Sequence, residues 1–385
     1  MKKIVSFSFY FLYFAAFAFI APYYVLYYQS LGFNGTQIGL LTGIPPLITL
    51  IGAPFGTGLA DRTMRHKLIM GLGIGVPIIV AVLIPAFSGF ALVFGLIILL
   101  NIFISPVSSL GDSATMTMLG DEKEMYGRVR LGGTIGWGIF VQVSGVLLKV
   151  QGLKILFYVY AVIMLINLFI SQRLSFGKHE AHEANSGGTL KLLKDRRWII
   201  FLGYAFLGGM GVFSVASYFS AYLQELGADG TQIGFAFFLG ALVEAPFFFF
   251  GNLLVKRFTA NGLFIMALVM LGVRSLLFGV VDNLLLATVV MALGGLTFPL
   301  MWSGGVAYAD ENAPAGLKST AQGLFGALTF GFGSAVSGFV GGLLLESIGG
   351  RGMFFVFGIV ILAGMILIEG LKRVFPEPKL IQAEV

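Results

Sequence analysis

The chain has 385 residues, of which 57% are hydrophobic and 11% charged, with a formal net charge of +6 and no cysteine. A soluble domain carries about 25% charged residues, so this chain lacks the polar surface to stay in water, and its mean hydropathy of +0.94 agrees. Soluble enzymes, nucleic-acid modules, secreted scaffolds and thiolate chemistry are excluded, and the basic balance marks the cytoplasmic loops of a membrane protein.

The predicted fold is all-α: a membrane protein of twelve transmembrane helices in two pseudo-symmetric six-helix halves. A spanning helix needs about 20 apolar residues. Breaks between apolar runs give spans at 4–28, 37–59, 67–87, 90–118, 127–149, 153–174, 197–224, 232–255, 261–281, 284–309, 318–345 and 352–373. The run after Met1-Lys2-Lys3 is too long for a signal peptide and lacks a small-residue cleavage site, so it is read as the first helix. Residues 1–174 then form one half, 175–196 a cytoplasmic linker, and 197–385 the other half with a short tail. The linker holds His179, Glu180, His182 and Glu183, read as a solvated tether and not a metal site; the third histidine, His66, also reads as a loop residue.

The charges orient the bundle. With the N-terminus in the cytoplasm, nineteen of the 24 Lys and Arg fall on cytoplasmic loops, ends or tails. Lys149, Lys154 and Arg351 lie outside, and Arg130 and Arg274 lie within spans. This asymmetry, with an even helix count, puts both termini on the cytoplasmic side of the plasma membrane.

An internal repeat supports the two halves. Tyr27-Tyr28-Gln29-Ser30-Leu31-Gly32 and Gly35-Thr36-Gln37-Ile38-Gly39 recur 195 residues later as Tyr222-Leu223-Gln224-Glu225-Leu226-Gly227 and Gly230-Thr231-Gln232-Ile233-Gly234. Five identical residues at one topological position imply parallel repeats about an axis along the membrane normal. Glycine runs such as Gly132-Gly133, Gly136 and Gly341-Gly342 read as seams where helix backbones approach closely.

Charges inside spans are the strongest functional signal, since each costs at least about 2.5 kcal/mol at the bilayer centre. Glu244 in span 8 and Arg274 in span 9 have equal residue counts from the cytoplasmic face, which puts them at similar depth near the midplane. Asp112 in span 4 and Arg130 in span 5 share a depth nearer the cytoplasm. Either the two pairs are buried ion pairs that fix packing, or they face a water-filled cavity. On the second reading Glu244 carries a proton and Asp112 with Arg130 hydrogen-bonds substrate. Trp137, two turns into span 5, offers an indole face for stacking, with Trp302 in span 10 as a second. Tyr27 and Tyr222 belong either to the same site or to an interfacial aromatic belt. Glu369 reads as snorkelling near the interface.

The chain resembles the major facilitator superfamily over essentially its whole length. Gly58-Leu59-Ala60-Asp61-Arg62-Thr63-Met64-Arg65-His66-Lys67 resembles that superfamily's loop between helices 2 and 3, with Thr57 and Met64 where glycines are usual. The resemblance implies a conformational latch of Asp61, Arg62 and Arg65, with Asp61 docking on a neighbouring helix end. Tyr126-Gly127-Arg128-Val129-Arg130-Leu131-Gly132-Gly133-Thr134-Ile135-Gly136-Trp137-Gly138 resembles the branch that includes lactose permease, nucleoside–proton symporters and the phenylpropionate permease. In lactose permease an Arg of this motif, a Trp seven residues on and a carboxylate eighteen residues before line the sugar site. Arg130, Trp137 and Asp112 have those spacings. Glu244 and Arg274 resemble the branch's charges in helices 8 and 9. Helix 10 departs from lactose permease: Gly294-Gly295-Leu296-Thr297-Phe298-Pro299 carries no ionisable residue where a His and a Glu stand in that protein.

The expectation is a monomeric secondary transporter, not an enzyme, working by alternating access in the lipid bilayer. It takes up a small polar solute (sugar, glycoside or nucleoside) with a proton as coupling ion and no other cofactor or metal. The rivals are uptake of a small aromatic carboxylate, with Arg130 or Arg274 receiving the anion, and efflux by proton antiport. Span 5 lacks the Gly-Pro signature usual in antiporters, which demotes efflux.

Overall fold

The computed structural model describes residues 2–177, 186–249, 257–314 and 316–374. His179, Glu180, His182, Glu183 and the tail beyond 374 lie outside the described residues. The first half holds α1 (Lys2–Ser30), α2 (Gly35–Thr63), α3 (His66–Ala86), α4 (Phe90–Leu119), α5 (Lys123–Gln151) and α6 (Lys154–Ser171). The second holds α7 (Arg196–Glu225), α8 (Gly230–Phe249), α9 (Ala260–Val280) and α10 (Leu284–Asn312), then a long helical run from Lys318. That run breaks at Gly349, φ 71° and ψ 175°, into α11 (318–348) and α12 (350–374). The sequence suggested a loop over 346–351; one residue suffices, because glycine takes a positive φ at no steric cost.

Two further differences have local causes. Ser186–Lys194 forms a short helix inside what reads as a solvated linker. Its Leu192 is 1% exposed and packs with Trp198 and Phe201, so the apolar side chain docks the segment on the second half. His66 is buried rather than looped out, because it opens α3 and stacks on Phe176 at 5.0 Å.

The packing repeats between halves. α1 lies on α5 and α6, as α7 lies on α11 and α12; α3 lies on α6, as α9 lies on α12; α2 lies on α4, as α8 lies on α10. The halves meet where α2 packs on α11 and α5 on α8. Both seams use the repeated pentapeptide. Its first turn is held by reciprocal caps, Asn34 with Gln37 and Asp229 with Gln232, at 2.9–3.1 Å. Its glycines let the other half's backbone in. A Cβ at Gly39 would lie 2.8 Å from the Phe339 oxygen, and one at Gly234 2.7 Å from the Val141 oxygen.

Polar contacts fasten the same end of the bundle, the one opposite both termini. The Gly35 N–H donates to Glu346 Oε2 at 2.8 Å. Thr42 and Tyr218 hydroxyls meet at 2.8 Å, and Tyr218 donates to the Gly338 carbonyl at 2.5 Å. Ser220 donates to the Pro22 carbonyl. Lys149 pairs with Asp229 at 2.9 Å. The Lys149 ammonium, hydrogen-bonded to Asp229, holds that carboxyl below the ordinary aspartate range.

Candidate functional site

Two charged clusters lie in the bundle. In the first, α1 and α4 meet the start of α5. The Tyr10 and Tyr126 hydroxyls both donate to Asp112 Oδ1, at 2.5 and 2.9 Å. Arg130 does not pair with that carboxylate within 4 Å. Its guanidinium instead lies over the rings of Phe14 and Tyr10, 4.3 and 5.0 Å from their centroids. The glycines of α5 make this possible. A Cβ at Gly132 or Gly136 would lie 2.8 or 2.2 Å from the α1 carbonyl oxygens of Phe7 and Phe11. Without side chains there, α1 comes close enough to bring Tyr10 to Asp112 and Phe14 beneath Arg130. Trp137 sits half-buried on α5, about two turns beyond Arg130. Asp112 and Arg130 are likewise half-buried, so neither is withdrawn from water.

The second cluster joins α8, α9 and α10. Arg274 is 8% exposed and its Nε has no hydrogen-bond partner. Glu244 is half-buried, and the two do not approach within 4 Å as an ion pair. Adjacent glycines on α10 bring them to one level. A Cβ at Gly294 would lie 1.7 Å from Arg274 Nη1, and one at Gly295 would lie 2.8 Å from the Glu244 backbone nitrogen. The Gly-Gly of helix 10, which reads as a departure, is therefore the space that Arg274 and α8 occupy. The pairs anticipated from spacing are neighbours in depth, not closed salt bridges.

The aromatic candidates separate. Trp302 lies in a ring cluster with Phe298, Phe325 and Phe330, at 5.1–6.4 Å between centroids. Tyr27 and Tyr222 are buried, 1% and 0% exposed, and donate to the Ile84 and Val281 carbonyls at 3.1 and 3.2 Å. They are equivalent bolts at the ends of α3 and α9, away from both charged clusters. Asp61 bonds Nε2 of His66, the first residue of α3, at 2.8 Å, while Arg62 and Arg65 are exposed. Glu369 accepts from Tyr204 at 2.5 Å.

Between the halves lies a cavity of about 380 Å³, walled by α1, α2 and α4 on one side and α7 and α11 on the other. The Thr42–Tyr218–Gly338 contacts close it toward the fastened end.

Reading by residue missed Tyr10 and Tyr126. Signals for both exist: Tyr126 precedes Arg130 by four residues, hence shares its helix face, and Tyr10 opens a stripe of aromatic residues along α1.

Comparison with known proteins agrees with this architecture. The maltose permease of Geobacillus stearothermophilus is 27% identical over 369 residues, covering 95% of this chain and 94% of that one. The probable 3-phenylpropionic acid transporter of Escherichia coli K12 is 23% identical over 368 residues, covering 93% and 95%. A mutant of the nucleoside transporter NupG has the same fold, with a TM-score of 0.87 at 16% identity over 96% of this chain and 100% of that one. Among the described residues, twelve long helices in two repeated sets of six, fastened through α2–α11 and α5–α8, accompany a family match over residues 5–357: the chain belongs to the MFS_1 like family.

Proposed function

We propose that the protein is a secondary active transporter that takes up a small polar solute (a sugar, glycoside or nucleoside) together with a proton. The observation that carries this is Glu244. It is a half-buried carboxylate in the membrane, without an ion partner within 4 Å, set at the level of the buried Arg274 by Gly294 and Gly295. An acid within a span can take up and release a proton, and its distance from Arg274 weights the charged against the neutral form. Movement of α8 against α9 and α10 would therefore change its protonation, which is what coupling requires.

Asp112 and Arg130 are the substrate-binding groups on this reading. Tyr10 and Tyr126 occupy one carboxylate oxygen and leave the other to accept from a solute hydroxyl. Arg130 is free to donate, and Trp137 offers a ring face. With the termini in the cytoplasm, the fastened end is the outer one and the conformation is inward-facing. Substrate and proton would shift the balance between inward and outward states through their different affinities for the two. The maltose permease relative favours a hydroxylated solute. The 3-phenylpropionic acid relative favours a second reading, an aromatic carboxylate held by Arg130.

Proteoliposomes containing the wild type or Glu244→Gln would be given sugars, nucleosides and aromatic acids while external pH is followed. Alkalinisation driven by one solute in the wild type, and lost in Glu244→Gln, is expected. Solute movement with no proton flux in either protein would make it a facilitator and end the coupling reading.

A further inference from the structure

Among the described residues no charged side chain lines the cavity between the halves, most of the lining is apolar, and three of its polar side chains are already bonded to their own helix. Thr42 donates to the Ile38 carbonyl at 2.8 Å, Thr49 to Pro45 at 3.1 Å, and Asn101 Nδ2 to Ile97 at 2.8 Å. What remains is mostly ring faces, those of Phe17, Tyr24, Phe213 and Phe330, with Ala21 and Ala216 leaving the space between them. A fully hydroxylated sugar placed here would find only uncharged partners, the hydroxyls of Tyr24, Tyr28, Ser217 and Ser334 and the amide of Asn101, set in a mostly apolar wall.

The cavity also lies along the same face of α1 as the first charged cluster. Tyr10, Phe14, Phe17, Ala21 and Tyr24 follow one another at spacings of three or four, which is one face of α1. Tyr10 holds Asp112 and Phe14 underlies Arg130, whereas Phe17, Ala21 and Tyr24 line the cavity. From Tyr10 to Phe17 is about 10 Å at 1.5 Å per residue. The far wall joins the aromatic cluster, since Phe330 lies 5.1 Å from Trp302 and 5.4 Å from Phe213.

Resting on the transport reading above, we propose that the substrate is amphipathic: its hydroxylated part meets Asp112 and Arg130 while an apolar ring fills this cavity, which makes a glycoside with an aromatic aglycone the favoured class. Both halves wall the cavity, so the ring is held only while the outer seams are closed. Its release accompanies their separation.

The test is calorimetric titration of the full chain in nanodiscs with matched pairs: phenyl against methyl β-glucoside, phenyl against methyl β-galactoside, and 3-phenylpropionate against propionate. Burying a phenyl ring predicts that the phenyl member binds about 10- to 100-fold tighter, with a more negative heat-capacity change. Ala216→Phe fills the cavity and is expected to bring the phenyl-to-methyl ratio to about one. Ala216→Val, a smaller intrusion, should give an intermediate ratio and guards against a variant that fails to fold. Equal affinities within a pair, or a ratio untouched by both variants, would overturn the proposal. If no glucoside or galactoside binds but 3-phenylpropionate outbinds propionate and Ala216→Phe abolishes this, the aromatic compartment stands and the hydroxylated-solute reading falls. If no phenyl compound binds, the compartment falls.

Discussion

Gly294 stands where any side chain would collide with Arg274: a Cβ there lies 1.7 Å from Nη1 and 2.8 Å from the guanidinium carbon. The guanidinium is only 8% exposed, so it has little room to yield beside α10. Gly294→Ala is expected to cost about 1–3 kcal/mol, the usual range for overpacking, and to displace Arg274. Thermal unfolding followed by circular dichroism measures this. Gly75→Ala, at a helix glycine with open space around it, is the control and should be neutral or stabilising. Equal behaviour of the two variants would mean that the Arg274 pocket is soft.

The two tyrosines on Asp112 Oδ1 make a graded prediction. A hydrogen bond to a charged group contributes about 1.5–3 kcal/mol. Tyr10→Phe or Tyr126→Phe alone leaves one donor in place and should raise the KM of uptake about tenfold or less. The double variant frees the carboxylate to rotate and should exceed either single by a further tenfold. An unchanged KM in the double variant would remove Asp112 from substrate binding.

The repeated seams should respond alike. Gly39→Val and Gly234→Val each push a side chain into the opposing backbone, and each should favour the state with the fastened end open. Because the chain has no cysteine, a single Ser217→Cys in the cavity reports this directly. Its labelling by an impermeant thiol reagent added outside should rise several-fold in both variants. A rise in only one would show that the seams do not open together.

Proton concentration acts on the Lys149–Asp229 pair through a carboxyl whose titration point is depressed by the ammonium. A depressed acid stabilises the paired state above its ordinary range and loses that contribution as pH falls. Labelling of the Ser217→Cys reporter, taken relative to a free thiol at the same pH, should therefore increase as external pH drops below about 4. Lys149→Ala should flatten that dependence and raise labelling at neutral pH. A pH response retained in Lys149→Ala would assign it elsewhere.

The span count and the repeat were legible because each rests on spacing along the chain; Asp112 and Arg130 stood out by charge, but their separate partners, Tyr10 and Tyr126 for one and two ring faces for the other, did not. Hydropathy marks a span by composition alone, and identical residues at one offset mark a duplication. Rotation of each helix was not legible. Tyr27 and Tyr222 sit among other tyrosines at a helix end, and nothing in their spacing says that their hydroxyls are already bonded to carbonyls. The Gly294-Gly295 pair looked like a missing function because its meaning depends on Arg274, twenty residues away in sequence and in contact in space. Gly349 was hidden for another reason: a positive φ at one glycine reads the same as a flexible loop.

The pentapeptide common to α2 and α8 acts as a hook, and the stretches of α11 and α5 that receive it act as eyes. Each half carries one hook and one eye, so each grips the other in the manner of an isologous dimer whose protomers share a chain. Such an interface is complementary to its own copy. Residues 1–174 and 197–385 supplied as separate polypeptides therefore already contain every part of the clasp, and neither depends on the connecting segment to find its mate.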